Sequence, residues 1–425
     1  MVPATRPSRA CVPLLLLAVL PASPQSSEGR FLRLYWFEQG LEHGNPVSNR
    51  RFRVNAPEAV LHPSYGKRSE TKSSGMLQIL MEEDLSLLAG SELYLELWGG
   101  HPGTANKSVT LNGRTTYPLP EVGTAQSHCT HQYPVLPLKI TDLVNGYNAL
   151  QFACDQGTSF WGHFIVDNAC LRAVLKPDHP DLVKAGLAGF QASVKAAPAG
   201  PESFDVSLSA SNPEAVAAVD FQGYYTGYDE NGDTESTGWH GFTKERLPVA
   251  FLGSATEAPF KITWDTSMLP AQKGMTVRAF VRLRGQRNLV YATPASGPLE
   301  IAPRAGRNVK LYLSRDLPER FTSRIKRRLA CTIELDVEPS RIERAELHVV
   351  TWDGGRGTIK DYFTLNGHAF PVAEEGKHDV IYSRLPVDPK ILRQGANRIE
   401  LYSDTEHHGI EILLPGPGLM LRVRQ

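Results

Sequence analysis

The sequence has no excess charge of either sign. Lys and Arg together number 45, and Asp and Glu also number 45, so the formal net charge is zero. A chain without net charge has no general electrostatic attraction to polyanions or to an anionic membrane surface. The composition therefore predicts no nucleic-acid partner.

Signatures of catalysis and of structural metal binding are also missing. The sequence contains no GxSxG, HExxH or phosphate-binding loop, and its five cysteines include no CxxC pair. This pattern argues against a zinc ribbon or a thioredoxin-type site. No established motif supports a catalytic role either.

Long apolar segments are scarce, and an informative one lies at the N-terminus. Arg6 and Arg9 precede an apolar stretch from Cys11 to Leu20, and small residues follow it. This order is typical of a signal peptide, and about ten apolar residues are too few to span a bilayer. Residues 1–27 are therefore predicted to be a signal peptide. The mature chain is expected to be secreted or periplasmic, with no membrane span.

Loss of that segment leaves a small set of cysteines. They are Cys129, Cys154, Cys170 and Cys331. An oxidising destination permits a disulfide. Cys129 and Cys154 both border predicted loops, so we expect these two to pair. The other two lie in apolar strands, where a free thiol behaves as a small buried hydrophobe.

The strongest feature that is present is an internal repeat. The segment Leu93–Trp98 recurs as Leu347–Trp352, each followed by a glycine-rich turn. Further along, Thr110–Gly113 and Thr364–Gly367 both read Thr-Leu-Asn-Gly. Conserved order and spacing of this kind indicate two copies of one structural unit.

Each copy has the pattern of short strands joined by tight turns. Leu93, Leu95 and Leu97 alternate with other side chains, which is the period of a half-buried strand. Asn-Gly pairs end the Thr-Leu-Asn-Gly segments and favour hairpin turns. Many short strands with regular turns predict an all-β fold of sandwich or barrel type.

The repeated unit resembles the galactose-binding-like jelly roll, a module that includes sugar-binding domains attached to many glycoside hydrolases. The resemblance rests on an apolar strand, Leu-Asn-Gly, an apolar-Asp-Leu segment and Gly-x-Asn-x-Leu. Thr141–Leu143 followed by Gly146–Asn148 fits it best, and Lys390–Leu392 departs from it. The resemblance implies jelly-roll sandwiches at residues 28–177 and 304–425. Its motifs are structural turns, so it implies a fold more than an activity.

The residues between the two copies lack the repeat. Phe260–Ser267 followed by Thr276–Ala279 is similar to bacterial immunoglobulin-like modules. The resemblance implies an immunoglobulin-like β-sandwich at residues 178–303. Two related jelly-roll-like sandwiches are therefore predicted to flank an immunoglobulin-like one.

One acidic segment of this middle unit has ligand atoms suited to calcium. Oxygen-bearing side chains occur at alternate positions, at Asp229, Asn231, Asp233 and Glu235. An EF-hand needs glycine at its sixth position and a distant Glu, whereas Gly232 comes fourth. A hairpin tip is the first interpretation and a calcium site the second. No other cofactor is predicted.

Equivalent loops of the two copies carry aromatic and polar side chains. The candidate ligand-binding residues are Trp161, His163 and Asp155 in the first copy and Asp404, His407 and His408 in the second. A sugar's apolar face stacks on an aromatic ring, while carboxylate or imidazole groups fix its hydroxyls. The alternative is that these residues close the edge of each sandwich.

Three functions remain open at this point. The leading hypothesis is an exported, non-catalytic carbohydrate-binding or surface-interaction protein, with a glycan or a surface protein as partner. A hydrolase or amidase acting on glycans is the alternative, and it predicts two acidic residues facing each other across a cleft between modules. A structural scaffold protein is the third, and it predicts large exposed apolar patches.

Overall fold

The computed structural model describes residues 28–37, 41–42, 45–46, 52–54, 71–72, 75–100, 104–121, 128, 130–155, 164–244, 246–325, 327–373, 379–406 and 409–425. Their regular structure is almost entirely β, which confirms the predicted fold class. Among them, α1 (Pro180–Lys184) is the one α-helix. Single 3-10 turns lie at Leu85–Leu87, Ile140–Asp142, Pro213–Ala215, Pro339–Arg341 and Pro389–Ile391. No helix in this part of the chain is long and apolar enough to cross a membrane.

The strands of the predicted first unit (residues 28–177), which we name the N-terminal sandwich, form two facing sheets. The boundaries of this unit and of the two that follow stay predictions. Its strands are β1 (Arg30–Trp36), β2 (Leu41–Glu42), β3 (Asn45–Pro46), β4 (Phe52–Val54), β5 (Thr71–Lys72), β6 (Gly75–Met81), β7 (Leu88–Trp98), β8 (Ser108–Leu111), β9 (Thr115–Pro118), β10 (His131–Gln132), β11 (Val135–Leu138), β12 (Gly146–Ala153) and β13 (Phe164–Leu175). One sheet has the order β6-β12-β8-β9, and β7 and β13 pair at the centre of the other. Leucines of β7 and residues such as Leu150 and Phe152 of β12 fill the core between them.

The middle module (residues 178–303) also contains two sheets. Its strands are β14 (Ala192–Gly200), β15 (Ser203–Ala210), β16 (Val216–Thr226), β17 (Thr237–Trp239), β18 (Phe242–Lys244), β19 (Leu247–Val249), β20 (Gly253–Ala255), β21 (Lys261–Asp265), β22 (Gln272–Leu283), β23 (Leu289–Ala292) and β24 (Leu299–Ile301). The sheet β14-β15-β21 packs on the sheet that runs β23-β22-β16-β17. The immunoglobulin-like assignment stays a prediction.

The C-terminal sandwich (residues 304–425) repeats the first. Its strands are β25 (Arg307–Leu313), β26 (Leu329–Leu335), β27 (Ile342–Asp353), β28 (Phe363–Leu365), β29 (His368–Ala369), β30 (Val380–Val387), β31 (Gly395–Leu401), β32 (Ile410–Ile412) and β33 (Gly418–Arg424). Their orders, β25-β33-β27-β30 and β26-β31-β28-β29, match β1-β13-β7-β11 and β6-β12-β8-β9. The sequence repeat therefore corresponds to a repeat of topology.

A pair of hydrogen-bonded asparagines in each copy, one of them completely buried, explains why the repeat is visible in the sequence. The Asn112 Nδ2 group donates to Asn148 Oδ1 at 2.9 Å, and Asn148 Nδ2 donates to the Val144 carbonyl at 2.9 Å. In the second copy, Asn366 Nδ2 donates to Asn397 Oδ1 at 2.8 Å. Buried polar groups require such partners. The Leu-Asn-Gly and Gly-x-Asn motifs are thus a hydrogen-bonded lock between two turns.

Strand β1 joins the N-terminal sandwich and the middle module into one sheet. Leu32 lies opposite Val174 of β13 on one side and opposite Val290 of β23 on the other. The Leu34 N–H donates to the Asn288 carbonyl at 2.8 Å. Buried residues of both units also form one continuous apolar cluster, whereas the C-terminal sandwich has its own. The first two units therefore share a sheet and a core.

Strand β7 is buried on both faces. Leu93 and Leu95 enter the core of the sandwich, but Tyr94 and Glu96 are only 3% and 4% exposed. The Tyr94 hydroxyl donates to the Thr243 carbonyl at 2.5 Å. The expectation of a half-buried strand is therefore wrong, because the β18–β19 hairpin of the middle module covers the second face.

All three units meet around Tyr228 of the middle module. Its ring belongs to one apolar cluster with Trp98 of the N-terminal sandwich and with Val350 and Leu413 of the C-terminal sandwich. Trp352, which is equivalent to Trp98 in the repeat, packs against the same cluster. We call this cluster the junction. The two repeated tryptophans thus anchor contacts between units.

Candidate functional site

The loops predicted to bind a ligand are only partly described. Outside the described residues lie Trp161, His163, His407 and His408. Asp155 and Asp404 are described. The Asp404 carboxylate accepts the backbone N–H of Thr358 at 2.9 Å and also bonds its hydroxyl, which lowers the pKa of Asp404. This carboxylate holds a turn, and the ligand role of the six residues stays a prediction.

The acidic segment of the middle module has the geometry of a hairpin tip. Asp229 accepts the N–H groups of Gly232 at 2.9 Å and Thr234 at 2.5 Å. Asp233 accepts the N–H of Glu235 at 2.8 Å, and Asn231 accepts that of Asp233 at 3.4 Å. Three of these four bonds reach a backbone N–H two or three residues ahead, which is typical of turns. Within the described ranges, no group of three or more His, Cys, Asp or Glu side chains is placed to hold a metal ion. The calcium site stays a prediction.

Burial raises the pKa values of two carboxyls at this tip. Burial, followed by the charges of Asp233 and Glu230, raises the pKa of Asp229 to about 7. Burial also raises the pKa of Asp233. The segment is confined because Gly232 lies directly against the His131 carbonyl of the N-terminal sandwich. The carboxyls with raised pKa values therefore lie where the middle module contacts the N-terminal sandwich.

The cysteines that the structure describes are buried thiols. Cys154, Cys170 and Cys331 are free, and burial raises the pKa of each to about 12. Such thiols are unreactive at neutral pH. Cys129 lies outside the described residues. The predicted Cys129–Cys154 disulfide therefore stays a prediction.

A cleft with a volume of about 70 Å³ opens between the middle module and the C-terminal sandwich. The middle module contributes Tyr225, Glu230 and Trp264 to its walls. The sheet β25-β33-β27-β30 contributes Glu346, His348, Tyr382 and Arg384, among others. Alternate residues of a strand point to opposite faces. Leucine and valine of β27 therefore enter the core while its glutamate and histidine face the middle module.

Glu346 is held as an anion on one wall of this cleft. Arg384 donates to its two oxygens at 2.7 and 3.1 Å, and Arg344 donates at 2.6 Å. Burial alone would raise the pKa of Glu346. The bonds from His348 and Arg384 outweigh it and lower the pKa to about 2. The carboxylate is therefore charged at all ordinary pH values and fixed in position.

His348 lies beside this carboxylate in the neutral form. Burial lowers its pKa. Its Nδ1 atom is 2.6 Å from the Tyr382 hydroxyl, and its Nε2 atom is 3.5 Å from Glu346. Burial raises the pKa of Tyr382, so the phenol keeps its proton. We infer that Tyr382 donates to Nδ1 and that the imidazole proton lies on Nε2.

The facing wall contains a second carboxylate, Glu230. It is 2.9 Å from Nδ1 of His240 and accepts the backbone N–H of Gly241. Burial opposes charge on His240, but Glu230 outweighs it and raises the pKa of His240. The Tyr225 ring stacks on this imidazole with centroids 3.7 Å apart. Two acidic residues of different units therefore line the same cleft.

The cleft residues were not predicted from the sequence. Glu346 and His348 alternate along β27, and Tyr382 and Arg384 alternate along β30, opposite it. A signal was available, because large polar side chains fill neighbouring outward positions of two strands that the sequence predicts to be half-buried. Such a face is more typical of a buried contact than of a solvated one.

Comparisons with known proteins do not identify the chain. No family model matches the sequence, and no curated protein sequence matches it. Among solved structures, it is similar to a β-porphyranase of glycoside hydrolase family 86 from the human gut bacterium Bacteroides plebeius, with 13% identity, 55% of this chain and 36% of that chain covered, and a TM-score of 0.22. It is also similar to the Endo-D glycoside hydrolase domain from Streptococcus pneumoniae R6, with 8% identity, 53% and 31% covered, and a TM-score of 0.23. The chain thus spans about a third of the length of these structures. We draw no functional conclusion from scores this low.

Proposed function

We propose that this chain is an exported, non-catalytic carbohydrate-binding protein that takes part of a sugar into the cleft between the middle module and the C-terminal sandwich. The observation that carries the proposal is the convergence of aromatic rings and fixed polar groups in this cleft. Tyr225 and Trp264 contribute ring atoms to its wall, and the Glu346 carboxylate contributes acceptor atoms. This combination suits the two kinds of surface on a sugar ring.

The size and charge of the cleft restrict the kinds of ligand that it can bind. Typical ligand pockets have roughly 300–1,000 Å³, so a volume of about 70 Å³ fits one substituent of a sugar rather than a whole oligosaccharide. Glu230, Asp265 and Glu346 place several carboxylates in its walls. An anionic sugar would meet them at close range. The proposed ligand is therefore a neutral glycan, bound through a hydroxyl-bearing group at its end or side.

Hydrolysis of glycans is the second candidate, because Glu230 and Glu346 line one cleft as that hypothesis predicted. Glycoside hydrolysis needs one carboxyl with a raised pKa to act as a general acid. Glu346 has the opposite property, with its pKa lowered to about 2. Glu230 is held by His240 and by the Gly241 N–H. Binding without turnover therefore fits this pair of carboxylates better.

A glycan-array screen on the exported chain tests the proposal. Glu346→Gln removes the charge of the cleft carboxylate at nearly constant shape. The first copy offers a matched control in Glu92→Gln, because Glu92 is the equivalent residue and also pairs with arginines, Arg30 and Arg172, away from the cleft. We expect the wild-type chain and Glu92→Gln to give the same array signals and Glu346→Gln to lose them. Equal signals from both variants would reject the cleft as the site.

Release of reducing ends from every glycan that binds separates the two candidates. The proposal predicts no release above background over a day of incubation. Release that disappears in Glu230→Gln and Glu346→Gln would replace the binding function with the hydrolytic one. The array and the release assay use the same protein, so folding is checked once by thermal unfolding.

A further inference from the structure

One face of the N-terminal sandwich exposes large apolar side chains to solvent. Met76, Leu80 and Tyr147 are 54%, 42% and 65% exposed. Tyr147 of β12 lies opposite Leu80 of β6, and Met76 lies opposite Gln151. We call the outward side of β6-β12-β8-β9 the outer face. The other sheet of this sandwich contacts the middle module, so the outer face lies away from the cleft.

The remaining outward positions of this face are uncharged. Gln78 pairs with Ala149 across the sheet, and Gln151 pairs with Thr110, which in turn pairs with Thr116. The two threonine hydroxyls are 2.8 Å apart. Rows of amide and hydroxyl groups therefore run beside the aromatic ring. Neighbouring strands are roughly 4.8 Å apart, so four strands give a surface about 14 Å wide.

The second copy shows that the fold does not require this surface. The register places Glu334 and Ala396 where the first copy has Leu80 and Tyr147. Arg398 and Glu400 occupy the next outward positions of β31, and their side chains are 3.4 Å apart. One copy thus has a charged, solvated face and the other an uncharged face with an exposed ring. Because the strand order is the same in the two copies, the fold alone does not require the uncharged face.

We infer that the outer face is a second binding site, for an extended neutral polysaccharide chain. An exposed tyrosine ring on the surface of a sheet can stack on the C–H face of a sugar. The Gln78 amide and the threonine hydroxyls supply donors and acceptors for sugar hydroxyls. The outward strand positions carry no charge, so they favour a neutral ligand over an ionic one. A stable protein interface needs roughly 1,000 Å² or more of buried surface. Three apolar side chains interleaved with polar ones provide too little apolar area for that.

Affinity electrophoresis tests this site in gels that contain hydroxyethylcellulose, galactomannan or xylan. We expect at least one polymer to retard the wild-type chain. Tyr147→Ala should weaken that interaction at least about fivefold, since stacking is worth about 1 kcal/mol beyond area burial. Tyr147→Phe keeps the ring and should retain the retardation. Val183→Ala, which removes another exposed apolar side chain, should match the wild type.

Three results would overturn the inference. The first is the absence of retardation by all three polymers, and the second is equal retardation of Tyr147→Ala and the wild type. The third is a sedimentation velocity run in which the unliganded wild type is a dimer and Tyr147→Ala is a monomer, since the face would then bind a second copy. The outer face and the cleft are separate, so the two proposals can fail independently. Retardation that depends on Tyr147 supports the outer face even if Glu346→Gln leaves array binding intact. Array binding that depends on Glu346 supports the cleft even if no polymer is retarded.

Discussion

Buried polar side chains define this protein at the scale of single residues. Asn148 and Asn397 are completely buried. Each closes a turn by accepting one backbone N–H and donating to two carbonyls. These residues were visible in the sequence because their bonds join neighbouring turns at fixed spacing. Glu230 and Glu346 were not recognised, because their partners come from distant segments.

Replacement of one buried turn asparagine should lower the free energy of unfolding. Asn148→Ala leaves the Val144 N–H and the carbonyls of Val144 and Gly146 without the side-chain partners they have now. Unsatisfied buried groups cost about 1–3 kcal/mol each. We expect the free energy of unfolding to fall by about 3 kcal/mol in urea titrations. Gln191→Ala, at an exposed amide, is the control, and an equally small effect of both changes would contradict the lock.

The carboxyl of Asp229 should make stability depend on pH. Its pKa is raised from 3.8 to about 7 in the folded chain, so the folded state binds this proton more tightly than the unfolded state. The contribution of this group to the free energy of unfolding therefore falls as pH rises from about 4 to about 7. We expect Asp229→Asn to gain in Tm relative to the wild type over that interval. Parallel Tm curves for the two proteins would disprove it, with Asp178→Asn at an exposed position as reference.

At the scale of elements, strand β1 has two roles. Its residues pair with β13 on one side and with β23 on the other. Period-two alternation predicted the strands of each copy, and their topology follows the repeat. Periodicity did not predict that β1 would be shared or that β7 would be covered twice. A strand's pattern records which positions are apolar, while its second partner is set by residues far along the chain.

A proline in β1 should loosen two units at once. Leu34→Pro removes the N–H that donates to the Asn288 carbonyl, and proline is poorly tolerated inside a sheet. We expect hydrogen–deuterium exchange to accelerate in Phe164–Leu175 and in Leu289–Ala292, with Leu34→Ala as the control. Faster exchange in only one of these strands would show that the two units do not share β1 in solution.

At the scale of the whole molecule, the two repeated sandwiches hold the middle module between equivalent sheets. Tyr133 of the first copy stacks on Phe242 with centroids 4.2 Å apart, and the equivalent Tyr382 stacks with Tyr228 at 5.9 Å. The Tyr228 hydroxyl donates to the Gly416 carbonyl at 2.6 Å. The cleft is bounded by two units and exists only while they are docked.

Loss of the Tyr228 ring should therefore weaken the docking of the C-terminal sandwich on the other two units. Tyr228→Ala removes the ring shared by the three units at the junction, whereas Tyr228→Phe keeps it and loses only one hydrogen bond. We expect small-angle scattering to show a larger radius of gyration for Tyr228→Ala, together with loss of glycan binding, and little change for Tyr228→Phe. An unchanged scattering curve for Tyr228→Ala would mean that other contacts suffice to dock the C-terminal sandwich.

The most direct test of the proposed function is a calorimetric titration with the glycan that gives the highest array signal. The measured quantity is the Kd of Glu346→Gln relative to that of Glu92→Gln. Loss of a charged hydrogen-bond acceptor costs about 1.5–3 kcal/mol, so the account predicts a ratio of about ten or more. A ratio of one, with both variants binding as the wild type does, would contradict the cleft as the binding site.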